Sequence, residues 1–265
     1  SEAYFSQVNY LAGIKHGVLT YGTRIGPSDY IGFHLFYLDS GPMEVTTERY
    51  PDGTGEDFHV ISMAARATYA RSLTDRLKIG GSINYIRDKI AETGMQAVSY
   101  DIGSNFNTGI YGTILGMSIT NFGPEVEYAG EDLSVQVPDT IDVEESLERI
   151  TNEFPLPLIF RLGIENELVG PNSSFMKNDQ HRLILSMDGI KPSDYIVFGS
   201  VGIEYGWQKL AFVRMGTHLG HDTAGLSAGL GLNVRLGKMA LSVDFAFVDY
   251  DVLKNTNQLA IGLEF

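Results

Sequence analysis

One pattern constrains this chain more than any other: short stretches in which apolar and small or polar residues alternate strictly, repeated from end to end. In "TAGLSAGLGLNVRLG" one face carries Leu226, Ala228, Leu230, Leu232, Val234 and Leu236, and the other Gly225, Ser227, Gly229, Gly231, Asn233 and Arg235. In "KMALSVDFAFVD" Met239, Leu241, Val243, Phe245 and Phe247 oppose Ala240, Ser242, Asp244 and Ala246. "TDRLKIGGSINYIRD" follows the same rule over residues 74–88. Side chains of a strand alternate between its two faces, so each segment is a strand with one greasy side. The fold class is therefore all-β.

Alternation alone suits a soluble sandwich as well as a membrane barrel. The polar face decides between them. It is crowded with Gly, Ser, Asn and Thr, with occasional Arg and Asp, and lacks the Lys/Glu mixture of an open surface; that composition fits a confined, wet lumen. Counting segments between turn signals gives about fourteen, near 3–13, 17–24, 29–38, 56–71, 76–88, 94–105, 110–121, 156–166, 180–188, 195–205, 209–217, 222–235, 239–249 and 256–265. The number is even, as single-chain outer-membrane barrels require. The intervening connections alternate in length. Ser72–Asp75, Asn107–Gly109, Gly206–Gln208 and Leu236–Lys238 are tight, whereas Asp39–Gly55 and Phe122–Pro155 are long and fall on the opposite side. Glu167–Asp179 breaks the rule. We expect one transmembrane antiparallel barrel over residues 1–265, in the bacterial outer membrane.

The chain ends "NTNQLAIGLEF", with Leu259, Ile261, Leu263 and Phe265 on one face. A strand that must zip to the first one to remove two open edges in lipid has this character. We expect these residues to form the closure and assembly signal, pairing with the Glu2–Gly13 region.

Composition narrows the function. The formal charge is −14 with 19 Lys+Arg, which disfavours a nucleic-acid surface. There is no Cys, so thiolate metal sites and cysteine nucleophiles are absent. No apolar run reaches the roughly 18 residues of a membrane helix. His218, His221 and Asp222 in "HLGHD" lie close together at an external turn, yet no third ligand or serine joins them, and turns commonly carry His and Asp. Asp52, Glu56 and Asp57 offer oxygen ligands without the spacing of a known Ca²⁺ loop. Gly225, Gly229 and Gly231 lack the strand–turn–helix setting of a nucleotide fingerprint and read as small lumen residues. His34, His59 and His181 read as ordinary strand residues. No enzyme, cofactor or metal is expected.

The long Phe122–Pro155 connection holds the chain's single helix signal, "DTIDVEESLERITNEF", with Val143, Leu147, Ile150 and Phe154 on one stripe. Residues 125–153 carry ten acids and one base, Arg149. This acidic loop, with Glu131, Asp132 and the apolar stripe, is the expected partner-binding surface.

Several stretches, "TTERYPDGTGEDF", "YARSLTDRLKIGGSINYIRDKI", "YDIGSNFNTGIYGTILGMSITNFGPEVEYAGEDL" and "FPLPLIFRLGI", resemble the PorV/PorQ group of outer-membrane proteins. So does "HRLILSMDGIKPSDY" with the later Gly/Leu strands. The resemblance implies a fourteen-stranded, FadL-like barrel and a role in type IX secretion. Such a protein acts as a shuttle that takes the C-terminal domains of secreted cargo from the outer-membrane translocon to a cell-surface attachment complex. Nothing near the N terminus corresponds to that group's Gly-rich and Asn-Pro-Ala plug segment: either the sequence starts after it or this member lacks a plug. The alternative is a FadL-type channel for hydrophobic small molecules.

Overall fold

The computed structural model describes residues 1–130, 133–136, 146–148, 151–220, 225–250 and 254–265. Fourteen long strands dominate: β1 (Glu2–Asn9), β2 (Lys15–Arg24), β3 (Asp29–Asp39), β4 (Val60–Ser72), β5 (Leu77–Ile90), β6 (Thr93–Asn107), β7 (Ile114–Phe122), β8 (Ile159–Val169), β9 (His181–Pro192), β10 (Phe198–Trp207), β11 (Ala211–Leu219), β12 (Leu226–Leu236), β13 (Met239–Asp249) and β14 (Asn255–Glu264). Each pairs antiparallel with its sequence neighbours, and β14 returns to β1 with Glu2 opposite Glu264 and Asn9 opposite Asn257. The ring is closed. The backbone clasps the seam once more, as the Ser1 ammonium donates to the Phe265 carbonyl at 2.8 Å and the Phe265 N–H donates back to Ser1 at 2.9 Å.

All fourteen strands lie where alternation places them. The inward set is small or polar; the outward set is apolar and exposed, as at Leu230 (59%), Leu35 (53%) and Phe5 (48%). Such a belt would be an aggregation surface in water and is satisfied only by lipid. The barrel is of the outer-membrane type. Both termini sit at one end, with the short connections 208–210 and 237–238, and this is the periplasmic end. Aromatics gather there on the outer wall. Tyr111 stacks on Phe175 at 5.7 Å, and His181 stacks on Tyr205 while its Nδ1 meets the Tyr205 hydroxyl at 2.7 Å. No helix among the described residues is long and apolar enough to cross a membrane, a statement that leaves strands untouched.

The expected helix is where the sequence misleads. Among the described residues of that stretch, Ser146–Glu148 pair antiparallel with Ser134–Gln136, and Phe154–Pro155 pair with Glu125–Val126. The Thr151 N–H donates to Tyr128 O at 3.1 Å, and the Tyr128 N–H donates to Thr151 Oγ1 at 2.8 Å. The described parts of the insertion thus pair as a hairpin whose base prolongs β7 and β8. Pairing with a partner segment overrides a local helical stripe, because the ladder satisfies backbone groups that β7 and β8 already hold in register. The remainder of the stripe, Val143 and Ile150, lies outside the described residues, as do Glu131 and Asp132.

Candidate functional site

The site is the lumen. Against β9–β14 and β1 lies a cavity of about 600 Å³, lined by Ser200, Gly202, Ser227, Gly229, Gln258 and Ala260. Its small side chains are the polar half of the alternation, and they leave open space where larger ones would fill the barrel. At the periplasmic side of this cavity stands a row of charges on strands β8 to β11 and β13. Arg182 (β9) contacts Glu167 (β8) at 3.2 Å and Glu204 (β10) at 3.8 Å. Arg214 (β11) contacts Glu204 at 2.7 Å and Asp244 (β13) at 2.6 Å. The order around the wall is acid, base, acid, base, acid. Between β11 and β13 the facing position on β12 is Gly231, where a Cβ would collide with Asp244 Oδ1 and lie 3.0 Å from Arg214 Nη1. Glycine there lets the guanidinium cross a whole strand.

A second lumen cluster sits at mid-height on β4–β6. Arg66 Nε donates to Asn84 Oδ1 at 2.6 Å, and Arg66 Nη2 lies 3.0 Å from Asp101 Oδ2. Asn84 Nδ2 donates to Ser99 Oγ at 3.1 Å and to Asp101 Oδ1 at 2.9 Å. Burial demands such pairing; Asp101 is 9% exposed and Ser99 fully buried. Asp101 also shapes the wall. Tyr100 faces Phe122 while Ile102 faces Ile119, so Asp101 alone opposes Thr120 and Asn121. The spare residue, Asn121, takes a left-handed conformation (φ 63°), and its N–H donates to Asp101 Oδ1 at 2.9 Å. This is a β-bulge, which bends a strand and sharpens its twist.

Beyond the bulge the β7–β8 hairpin packs against the inward face of β5 and β6 at the extracellular mouth. Val126 and Leu156 are buried on Met95 and Ala97, with Ile86, Tyr128 and Phe154 packed around them. Tyr128 and Phe154 stack at 5.8 Å. Burial, and then the Asp88 carboxylate 3.4 Å away, raises the Tyr128 pKa, so its hydroxyl remains a proton donor. An apolar mouth therefore leads toward a polar, charge-lined interior.

The residues expected from sequence fare unevenly. Phe154 belongs to the mouth cluster, committed to packing. Leu147 lies in the outer part of the hairpin, on the strand that pairs with Ser134–Gln136. Leu259, Ile261 and Leu263 lie on the outer face of β14, opposite Gln7, Phe5 and Ala3 of β1. Gly229 and Gly231 face the lumen as expected. His34 meets Thr20 Oγ1 at 3.0 Å, and His59 meets Asp39 at 2.9 Å. His221 and Asp222 lie outside the described residues. Among the described residues no group of three or more His, Asp or Glu is placed to hold a metal, and Asp52, Glu56 and Asp57 form none. Sequence reasoning did not single out Arg182, Glu204, Arg214 or Asp244. Their signal was there: each is a charge on the Gly/Ser face of an alternating strand, where a lone charge needs a neighbour.

Comparison with solved structures places the fold. The Pseudomonas putida toluene transporter TodX superposes with a TM-score of 0.57 at 12% identity, covering 99% of this chain and 87% of that one. The Ralstonia pickettii toluene transporter TbuX gives 0.55 at 11% identity, covering 99% and 86%. A Pseudomonas aeruginosa FadL homologue gives 0.55 at 9% identity, covering 99% and 88%. The fold is FadL-like. No protein-family model matches the chain, and no curated protein matches it. The likeness supports the FadL-like part of the PorV/PorQ resemblance and gives no support to its secretion part.

Proposed function

We propose that this protein is a FadL-type channel that passes small hydrophobic molecules across the outer membrane. The observation that carries this reading is the likeness of almost the whole barrel to the toluene transporters TodX and TbuX. The lumen adds to it. At the mouth the half-buried Tyr128 ring, stacked on Phe154, offers a first contact for a greasy molecule, and an open cavity lies further in. The cargo-shuttle reading has no comparable observation on its side.

The test is uptake of radiolabelled toluene by a bacterial host deleted for its own FadL-type channels. Cells expressing the barrel should take up toluene several-fold faster than cells expressing an unrelated outer-membrane barrel at equal level. Equal rates would overturn the proposal.

A further inference from the structure

The charge row lining the cavity points to the class of molecule it admits. Arg182 and Arg214 face this part of the lumen, and both are committed. Arg214 is gripped from either side, by Glu204 at 2.7 Å and Asp244 at 2.6 Å, and Arg182 lies between Glu167 and Glu204. Three carboxylates against two guanidiniums leave the row net negative. Asp188 adds another carboxylate on the same face, accepting from Ser200 Oγ at 3.4 Å. An arginine already holding two carboxylates has little left to offer a third, and the surplus negative charge repels an anion in a space of lowered dielectric. The rest of the lining consists of hydroxyls, an amide and glycine backbone, which can satisfy a neutral polar group.

We infer that the lumen selects uncharged amphipathic small molecules, an apolar body bearing a hydroxyl-type group, and excludes the corresponding carboxylate anions, with Glu204 and Asp244 as the specificity-determining residues. This rests on the channel reading above and narrows it. The two acids act by occupying Arg214; once freed, that guanidinium would become a carboxylate receptor. The geometry makes this reversible by substitution, because Gly231 leaves Arg214 room in the lumen.

The experiment measures binding of tritiated 2-naphthalenemethanol and tritiated 2-naphthoate, two molecules of one skeleton, at pH 7.5. The barrel is held in lipid nanodiscs, with signal from empty nanodiscs subtracted. Wild type should bind the alcohol and at least tenfold less naphthoate. Glu204→Gln combined with Asp244→Asn should gain naphthoate binding by about tenfold or more. Heat-modifiable migration checks that the double variant is folded, and Asp244→Asn alone serves if it is not. Equal binding of both ligands by wild type would overturn the selectivity and leave the channel reading standing. So would a folded variant that gains no naphthoate. Binding of neither ligand by wild type would overturn the selectivity here, whereas failure of the channel reading itself would show in toluene uptake.

Discussion

Arg214 on β11 bonds Asp244 on β13 at 2.6 Å, reaching past an intervening strand whose facing residue is Gly231. Ordinary cross-strand pairs join neighbours; this one spans two ladders and ties β11, β12 and β13 into one unit. Gly231→Ala puts a methyl where the carboxylate lies, so one of the two charges must turn away. The pair is partly exposed to the lumen, which limits the cost to about 1 kcal/mol. The variant should unfold at lower urea in lipid vesicles than wild type. Gly116→Ala, a lumen position with open space around the added Cβ, should match wild type. Equal midpoints for both variants would show that the guanidinium bridge contributes nothing.

Charge on the outer wall should be costly. Leu230 and Phe245 face each other across β12 and β13 on the lipid side. Either one changed to Arg should lose about 2–4 kcal/mol near the midplane. Ser227→Arg and Ser242→Arg, on the lumen face of the same strands, should fold at near-wild-type yield. Folding yields in bilayers, measured by heat-modifiable migration, compare the two sets; equal yields would contradict the assignment of faces.

We propose that the final strand also serves as the assembly signal. It carries two ladders, to β13 and to β1, so its loss exposes two edges where lipid offers no hydrogen bonds. Phe265→Ala should lower the folded fraction in the outer membrane, and removal of residues 259–265 should abolish it. Wild-type amounts of heat-modifiable protein in the truncation would exclude this role for β14.

The strands, their number and their faces were legible because alternation is a local property imposed twice over, by lipid outside and water inside. The closure of β14 on β1 followed from the same logic. The long insertion was not legible. Leu147 and Phe154 sit at helical spacing, and only the register carried over from β7 and β8 sets their strands against Ser134–Gln136 and Glu125–Val126. The charge row was legible one member at a time and not as a row. That Arg182, Glu204, Arg214 and Asp244 stand at one height depends on strand stagger, and the reach of Arg214 depends on which residue occupies β12. Neither can be read without the ladder.

The mouth yields the last prediction. The hairpin beyond the Asn121 bulge is held to the barrel by few buried groups, chiefly Val126 and Leu156 against Met95 and Ala97. Leu156 is 5% exposed, so Leu156→Ala removes contacts and leaves a void, at about 2–5 kcal/mol for a well-packed site. That loss falls on the hairpin and not on the ring, whose ladders stay intact. The expected result is faster protease cleavage within 123–158 with unchanged heat-modifiable migration of the whole barrel. Removing residues 131–150 should leave the base protected. Thr151 still bonds Tyr128 across the hairpin, the packed base is untouched, and cleavage of the base should stay slow. If Leu156→Ala leaves cleavage at the wild-type rate, the hairpin is anchored elsewhere. If it lowers the stability of the entire barrel instead, the mouth cluster is part of the barrel's own core.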